Sequence, residues 1–375
     1  MNSEKQHIIH TINIGIVGAG SFAAFAASAF LQLRGVNLIA VADVDPNAAK
    51  NLAGKYAAVA YPDLEKMLQD ESIDLIYIAT PPFLHYSQSK ASLVAGKHVL
   101  CEKPAALKLE EAKELASLAQ SKNLLYVVNL MQRYNPLYEI VSEIIDNKTL
   151  GEFLHGYFEN YASDESLPAS HWFWDEAKSG GIFTEHGVHF FDMFSGWLGK
   201  GEVIQSLKKH RPGYDNIIDR VQATVMYGGG WVNFYHGFDQ PRILDRQQIT
   251  LLFERGDITL RGWIPVTIKV HGLFNETDKK IIRKLLKENF TENEIKDPNQ
   301  KAKGRFKDID LHAEVTFEKG DLLHKEMRYQ QLLMRMLADQ WSWIKDNKHH
   351  RKMDETNGIA SLQMALDADG RSATF

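Results

Sequence analysis

The residues best suited to chemistry lie in the run GGIFTEHGVHFFDMF, residues 180–194. If this run forms a helix after its glycine pair, Glu185 and His189 lie four residues apart on one face, with Asp192 three residues further on. A histidine can accept a proton near neutral pH, and a neighbouring carboxylate can fix its tautomer and stabilise the imidazolium. The spacing predicts a carboxylate–histidine pair for acid–base chemistry, with a structural histidine as the alternative.

The same run raises the question of a metal site, because Glu185, His186 and His189 are all potential ligands. Adjacent residues of a helix point apart and a fourth ligand is not evident, so we expect no metal. Upstream, the run SHWFWDEAK places aromatic side chains where they can wall a substrate pocket or pack in a core. The candidates for such a wall are His171, Trp172 and Trp174.

These residues need a scaffold, and its most informative part is NIGIVGAGSFAAFAASAF, residues 13–30. A short buried strand is followed by a glycine turn and an alanine-rich helix with apolar residues at helical spacing. Gly18 permits the tight turn, Gly20 lets a pyrophosphate approach the backbone, and Ala23 lets helix and strand pack closely. The phosphates would lie at the helix N-terminus, beside Ser21 and Phe22, where amide groups and the helix dipole favour negative charge.

The next apolar run, residues 36–42, ends at Asp43. A carboxylate at this point of a strand–turn–helix–strand unit can accept hydrogen bonds from both ribose hydroxyls of a dinucleotide, although an exposed turn aspartate is the other interpretation. It would also repel a 2′-phosphate, and Val44 follows it where an NADP site would favour Arg or Ser. The sequence therefore predicts NAD as cofactor, with NADP less favoured.

Polar or conformationally restricted residues follow three further predicted strands. They are Thr80-Pro81-Pro82, Glu102-Lys103-Pro104 and the segment from Asn129 to Arg133. Ligands of open parallel sheets bind at the carboxyl ends of the strands, so these segments are expected beside the cofactor. Lys103 would point into the nicotinamide crevice and polarise a hydroxyl or carbonyl, unless it is an ordinary solvated lysine.

The pattern of apolar runs predicts two domains, 1–129 and 130–375. Between residues 36 and 129 these runs alternate with helical patterns, which indicates βαβ units and a doubly wound parallel α/β sheet. The six predicted strands are 14–17, 36–42, 57–60, 75–79, 98–101 and 125–129. The second domain is predicted as α+β with a large, mostly antiparallel open sheet, with strands at 151–162, 221–227, 231–238, 248–254 and 264–270 and helices at 279–290, 322–345 and 355–369.

Composition excludes several classes of protein. The 375 residues are 44% hydrophobic and 24% charged, as in a globular protein with an ample core. A net charge of -5 offers no basic stripe for nucleic acid. Cys101 is the one cysteine, and neither the N-terminal residues nor any apolar run resembles a signal core or a membrane span. We therefore expect a cytoplasmic protein with neither a nucleic-acid partner nor a membrane partner.

Several of these runs together resemble the glucose-fructose oxidoreductase and inositol dehydrogenase family, often called Gfo/Idh/MocA. They are residues 14–23, Asp43, TPPFLH at 80–85, AGKHVLCEKP at 95–104 and MQRYNP at 131–136. The resemblance implies an N-terminal Rossmann domain that binds NAD(P). It also implies a C-terminal α/β domain whose open sheet forms a subunit interface, and hence a homodimer or homotetramer.

The resemblance also implies roles for residues. Lys103 and His189 would flank the reacting carbon, His189 taking the hydroxyl proton as hydride passes to C4 of the nicotinamide and Lys103 stabilising the alkoxide. The family motif GGxxxDxGxHxxD is matched except at Glu185, where aspartate is usual and the side chain is one methylene longer. The predicted catalytic residues are Lys103, His189 and Glu185. The predicted cofactor contacts are Gly18, Gly20, Ser21, Phe22, Ala23, Asp43, Thr80, Pro81, Pro82, His85, Glu102, Lys103 and Asn129, and the predicted substrate contacts are Arg133, His171, Trp172, Trp174 and His186.

The predicted function is an NAD(P)-dependent oxidoreductase that acts on a secondary hydroxyl, or the matching ketone, of a sugar, polyol or cyclitol. One alternative is an NAD-dependent glycosidase, in which the same hydride transfer is transient and assists elimination. Another is a cofactor-binding regulator without activity. Net reduction of the cofactor separates the first two.

Overall fold

The computed structural model of the chain describes residues 11–164, 166–295, 302–304, 307–309, 313–320 and 324–375. It divides into two compact units. The first contains the chain up to Leu130 together with Gln330–Ile359, and the second contains Met131–Tyr329 and Ala360–Phe375. The sequence predicts a single boundary after residue 129, whereas the structure groups Gln330–Ile359 with the N-terminal residues.

The first unit is built on a six-stranded sheet in which every pairing is parallel, in the order β3-β2-β1-β4-β5-β6. Its strands are β1 (Ile12–Val17), β2 (Val36–Ala42), β3 (Val59–Tyr61), β4 (Leu75–Ile78), β5 (His98–Cys101) and β6 (Tyr126–Val128). The predicted doubly wound sheet is confirmed. All four residues of β4 are buried, as expected for a central strand covered on both faces. Cys101, at the end of β5, is a free thiol with 0% exposure.

Five helices connect these strands: α1 (Ser21–Phe30), α2 (Pro46–Lys55), α3 (Leu64–Met67), α4 (His85–Val94) and α5 (Leu109–Ser121). Local sequence accounts for where several of them start. The side chain of Asp45 caps α2 by accepting from the amide of Asn47, and Pro46 occupies the first turn, where its missing N–H costs nothing. The N-cap position of α1 is instead occupied by Gly20, which has no side chain with which to cap the helix.

The second unit is built on a ten-stranded sheet in the order β14-β17-β13-β12-β11-β7-β10-β9-β8-β18. Only the pairs β7/β10 and β8/β18 are parallel, so the predicted mostly antiparallel sheet is confirmed. The strands are β7 (Phe153–Tyr161), β8 (Gly201–His210), β9 (Ile218–Tyr227), β10 (Gly230–Gly237), β11 (Arg246–Phe253), β12 (Gly256–Arg261), β13 (Thr267–Phe274), β14 (Phe290–Ile295), β17 (Ala313–Gly320) and β18 (Ser372–Thr374), with β15 (Ala302–Gly304) and β16 (Lys307–Ile309) forming a separate pair.

The second unit also contains helices. They include α6 (Pro136–Asp146), α7 (Glu176–Ser179), α8 (Val188–Leu198) and α9 (Glu276–Leu286). The rings of Phe191 and Phe194 in α8 each lie 4.9 Å from Phe234 in β10, and Phe190 stacks on Phe158 in β7. Stacked and edge-on rings of this kind make the core between helix and sheet. The long helices α10 (Lys325–Lys345) and α11 (Glu355–Gly370) each contribute residues to both units.

Two predicted elements are shifted by three residues or more at both ends in the structure. The strand predicted at 264–270 lies at Thr267–Phe274, because the chain forms a turn at residues 262–266 and Pro265 has no amide for a ladder bond. The predicted helix at 279–290 lies at Glu276–Leu286 and is followed by strand β14. The first residues of the helix predicted at 322–345, and the N-terminal residues 1–10, lie outside the described part of the chain.

Candidate active site

The glycine turn between β1 and α1 leaves room for a ligand at the backbone. Gly18 has φ of 90°, and a Cβ there would come within 2.5 Å of the carbonyl oxygen of Ala79, so this position requires glycine. At Gly20 a Cβ would meet nothing within 4 Å. The open space lies where the first turn of α1 presents amide groups that no N-cap side chain satisfies. This geometry suits a phosphate group.

Asp43 is half-buried directly after β2, and its carboxylate organises the turn. Oδ2 accepts the amide of Ala19 at 2.6 Å, and Oδ1 accepts the amide of Asp45 at 2.8 Å. Each carboxylate oxygen has a second lone pair, so both retain capacity to accept a hydroxyl. The carboxylate therefore links the glycine turn to the end of β2, and the residues present fit a bound dinucleotide.

His85 connects two of the predicted cofactor loops. Its Nδ1 lies 2.8 Å from the carbonyl oxygen of Pro104, and its Nε2 lies 2.8 Å from the carbonyl oxygen of Thr80. The ring is 1% exposed. A neutral imidazole has one N–H, so both contacts are hydrogen bonds only when the ring carries two protons. His85 thus ties the loop after β4 to the loop after β5, and both of its nitrogens are occupied by protein backbone.

In the loop after β5, Glu102 is buried and bonded to neighbouring strands. It accepts hydrogen bonds from the hydroxyl of Tyr77 and from Nδ2 of Asn129, the latter at 2.6 Å. Burial raises the pKa of Glu102, and the two hydrogen bonds partly oppose that shift. Lys103, the next residue, is half-buried, and its peptide bond to Pro104 is cis. The pair Glu102 and Asn129 therefore fixes the backbone that carries Lys103.

The raised pKa of Glu102 predicts a pH-dependent effect of Glu102→Gln. Between the unfolded and folded pKa values the folded state holds more protons, so stability falls as pH rises through that window. We expect Glu102→Gln to become more stable relative to wild type as the pH rises from acid to neutral, measured as the difference in thermal midpoint. Glu71→Gln, at an exposed turn residue, is the control and should show no such trend. A difference that is constant with pH would contradict the expectation.

The run predicted to carry the chemistry does not form one continuous α-helix. Phe183–Gly187 is a π-helical turn, in which hydrogen bonds span five residues, and α8 begins at Val188. Glu185 therefore belongs to the π turn and His189 to the α-helix, so the predicted regular i,i+4 relation is wrong in this detail. Glu185 is 8% exposed and His189 2% exposed. π turns of this length are frequent at functional sites.

Trp263, in the turn before β13, lies against this segment. Its ring is perpendicular to that of His189, with 5.2 Å between centroids. Its Nε1 donates to Nε2 of His186 at 3.0 Å, and Nδ1 of His186 lies 2.9 Å from Nδ1 of His236 in β10. Tyr329 packs on the indole at 5.5 Å. Neither Trp263 nor His236 was predicted from the sequence, because each meets His186 only through the fold.

Half-buried Arg133 forms an ion pair with buried Asp192 within the second unit. Nε of Arg133 lies 2.8 Å from Oδ2 of Asp192, and Nη2 lies 2.9 Å from Oδ1, which makes a bidentate contact. A third bond joins Nη2 to the carbonyl oxygen of Asp192. The guanidinium of Arg133, a predicted substrate contact, is therefore bonded to Asp192 of the run 180–194. This fork holds the turn Met131–Tyr134 against α8.

The aromatic residues upstream of the glycine pair are only partly exposed. Trp172–Trp174 forms a 3₁₀ turn that His171 caps by accepting the amide of Phe173. Trp174 is 4% exposed and packs with Phe238, which also packs on His186. A cavity of about 640 Å³ is lined by residues that include His171, Trp174, Lys208 and His210. Neither Glu185 nor His189 is among the residues described as lining it.

The described residues contain neither a membrane-spanning helix nor a group of side chains arranged to hold a metal ion. None of the helices in that part of the chain is long and apolar enough to cross a membrane. Nor do the described histidine, cysteine, aspartate and glutamate side chains form a group of three or more that could hold a metal ion.

Sequence comparison identifies relatives of both units. Residues 12–130 match the model of the GFO_IDH_MocA oxidoreductase family with an NAD-binding Rossmann fold, and residues 138–259 match the GFO/IDH/MocA C-terminal domain. Glucose-6-phosphate 3-dehydrogenase from Bacillus subtilis (strain 168) is 29% identical over 184 residues, which are 48% of this chain and 52% of that protein. The chain spans about half the length of several curated relatives it matches.

Solved structures share the fold over nearly the whole chain. The WlbA dehydrogenase from Bordetella pertussis, in complex with NADH and UDP-GlcNAcA, has a TM-score of 0.78 at 18% identity, covering 96% of this chain and 95% of its own. KijD10, a 3-ketoreductase from Actinomadura kijaniata in complex with NADP and TDP-benzene, has a TM-score of 0.75 at 16% identity, covering 98% and 99%. With a family model matched by each unit and the fold shared, the chain belongs to the Gfo/Idh/MocA family of NAD(P)-binding oxidoreductases.

Proposed function

We propose that this protein transfers a hydride between a nicotinamide cofactor and a secondary hydroxyl or ketone of a sugar, polyol or cyclitol. The observation that carries the proposal is the buried Glu185–His189 segment, a general-base candidate held against an aromatic wall at Trp263, in a chain whose first unit fits a dinucleotide. The Bacillus subtilis relative, a glucose-6-phosphate 3-dehydrogenase, supports the substrate class.

Each proposed catalytic residue has a separate task. His189 accepts the proton of the substrate hydroxyl, and Glu185 supports its orientation and charge. Lys103 polarises the hydroxyl and stabilises the alkoxide as it develops. Bound cofactor supplies the hydride acceptor. Gly18, Gly20 and Asp43 hold it, with the loops joined by His85.

The test is a panel of polyols, cyclitols, sugars, sugar phosphates and nucleotide sugars, each incubated with the protein and NAD while absorbance of reduced nicotinamide is followed. We expect one class to give net reduction. Release of sugar from a glycoside without accumulation of NADH would favour the glycosidase alternative. Cofactor binding without turnover on any compound, in either direction, would favour a regulator.

NAD is the proposed cofactor, with Asp43 as the discriminating residue. Its half-buried carboxylate would repel a 2′-phosphate, so we expect tighter binding of NADH than of NADPH by fluorescence titration. Asp43→Asn keeps an oxygen for the amide of Ala19 or Asp45 and removes the charge. It should shift the ratio of dissociation constants toward NADPH by about tenfold, roughly 1.4 kcal/mol. An unchanged ratio in both Asp43→Asn and Asp43→Ala would disprove this assignment.

The open face of the ten-stranded sheet is proposed as the interface of a homodimer or a dimer of dimers. Trp231 is 47% exposed there and Met226 37%, and the two are register partners on β10 and β9. His155 lies beside Trp231 at 5.8 Å between ring centroids. An apolar strip on an otherwise polar sheet face is typical of a contact surface.

Sedimentation velocity tests this assembly. We expect a species of at least twice the monomer mass of 42.6 kDa at micromolar concentration. Trp231→Asp should shift it toward the monomer, whereas Val94→Asp, an equally apolar-to-acidic change at an exposed position of the first unit, should not. A clean wild-type monomer would refute the proposal.

The cytoplasm is the proposed location, because a sequence with one cysteine can form no intramolecular disulfide and so suits a reducing compartment.

A further inference from the structure

The backbone around Trp263 is held in place by buried amides. Gln132 donates from Nε2 to the carbonyl oxygen of Trp263 at 2.6 Å, and Asn135 donates from Nδ2 to that of Pro265 at 3.0 Å. Both amide side chains are 0% exposed. Gly262 has φ of 98°, which a side chain would strain. The turn therefore presents the indole in one fixed position.

The hydrogen bonds that continue from the indole assign a proton to each ring. The indole Nε1 can only donate, so Nε2 of His186, 3.0 Å away, must be the acceptor and carries no proton. A neutral His186 then has its proton on Nδ1 and donates it to Nδ1 of His236 at 2.9 Å. His236, as the acceptor, has its own proton on Nε2. Each tautomer follows from the previous one in the chain.

The surroundings favour neutral rings. His236 is 0% exposed, and burial lowers the pKa of His236 to about 3. Phe158, Phe183 and Phe190 pack around His236, and Phe190 and Phe238 pack around His186. The titratable groups of the adjoining segment are Glu185 and His189. A proton added to Nδ1 of His236 would face the N–H of His186, so the chain persists only with both rings neutral.

Trp263, at one end of this series of hydrogen bonds, contacts His189, the candidate general base. The indole of Trp263 stands perpendicular to the ring of His189, 5.2 Å away, and an edge-to-face contact of this kind restricts the rotation of the smaller ring. Gly187 lies between His236 and α8, where a Cβ would be 3.7 Å from Nε2 of His236. Both ends of the chain therefore border the segment that carries His189.

We propose that Trp263, His186 and His236 form a chain of fixed tautomers that positions the imidazole of His189. The inference rests on the proposed role of His189 and extends it. Trp263 and His236 are positioning residues. His186 is also a positioning residue, because its two ring nitrogens bond Trp263 and His236 and it affects His189 through the indole of Trp263. The chain gives the site a rigid wall whose geometry does not change across the physiological pH range.

Nuclear magnetic resonance of ¹⁵N-histidine-labelled protein tests the tautomers without any substrate. We expect His186 with its proton on Nδ1, His236 with its proton on Nε2, and no titration of either between about pH 5 and pH 8. Spectra of His186→Gln and His236→Asn assign the two rings. A proton on Nε2 of His186, or a doubly protonated His186 or His236 in that pH range, would refute the proposed chain of tautomers.

Two variants test the positioning of His189. Trp263→Phe keeps a ring and removes the donor, so His186 should lose its single tautomer and the ring resonances and pKa of His189 should shift. Trp341→Phe, at a half-buried position of α10, is the matched control and should leave both histidines unchanged. His236→Asn can place its amide oxygen where Nδ1 accepts and should preserve the tautomer of His186, whereas His236→Leu should not. Unchanged signals of His186 and His189 in Trp263→Phe would refute the positioning role.

These spectra also separate this inference from the proposed function. In one outcome the tautomers are as assigned and respond to Trp263→Phe, but His189→Ala retains turnover. The proposed chain of tautomers is then supported and the catalytic role of His189 is refuted. If His189 is essential and the tautomers differ from the assignment, the chain fails and the proposed function is untouched.

Discussion

His189→Ala is expected to lose turnover by about 10²- to 10⁴-fold, the usual contribution of a general base. Cofactor affinity should stay close to that of wild type, because His189 belongs to the second unit and the predicted dinucleotide contacts belong to the first. The variant should also lose the limb of the pH–rate profile that reports deprotonation of the base. Steady-state kinetics on the substrate found in the panel, with fluorescence titration of NADH, measures all three.

Two neighbouring substitutions make this experiment specific. Glu185→Gln should do less harm than His189→Ala, because it alters the residue proposed to support the base and leaves the base in place. His350→Ala, at an exposed histidine of the first unit, should be neutral. If His189→Ala keeps near wild-type turnover on the true substrate, the proposed mechanism is wrong.

The second large effect is expected for Lys103→Met. Methionine has similar length and retains the packing of the aliphatic stem, while the charge that stabilises the alkoxide is lost. We expect kcat to fall by about 10²- to 10³-fold, as for removal of a donor to a developing oxyanion. The dissociation constant of NADH should change little. Lys108→Met, at an exposed lysine a few residues along the chain, controls for a general loss of positive charge.

The pH profile distinguishes the two residues. Loss of Lys103 should lower the rate at every pH without removing the basic group, whereas loss of His189 removes that group. A Lys103→Met variant whose rate is restored by high pH alone would contradict an electrostatic role, because the alkoxide would then need no cation.

The parallel sheet was predictable because its strands are short, continuous apolar runs separated by helical patterns, a local property of the sequence. The predicted strand 75–79 corresponds to β4, and 98–101 corresponds to β5 without change of bounds. Errors arose where one residue breaks a pattern. Pro265 lies inside an apolar run whose pattern is typical of a strand. Because proline has no amide hydrogen for a ladder bond, the strand begins only at Thr267.

The candidate site likewise contains residues that local sequence order predicts and residues that only the fold brings together. Gly18 and Asp43 could be predicted as cofactor contacts because their order along one strand–turn–helix unit carries the signal, and the carboxylate of Asp43 accepts an amide of that glycine turn. Trp263 contacts a residue 77 positions away in the sequence and His236 one 50 positions away, so no local spacing could pair them with His186. The π turn was also beyond prediction, since its hydrogen bonds depend on packing of the buried run and not on residue type.

Because Cys101 is buried, its chemical labelling can report the unfolding of the sheet around it. The thiol sits at the end of β5 with 0% exposure, and burial raises its pKa, so a thiol-specific reagent cannot reach a reactive thiolate in the folded sheet. Modification then requires that the central strands separate. Because the sequence contains one cysteine, the rate of labelling measures the opening of the nucleotide-binding sheet alone, and bound NADH should slow it in proportion to its affinity.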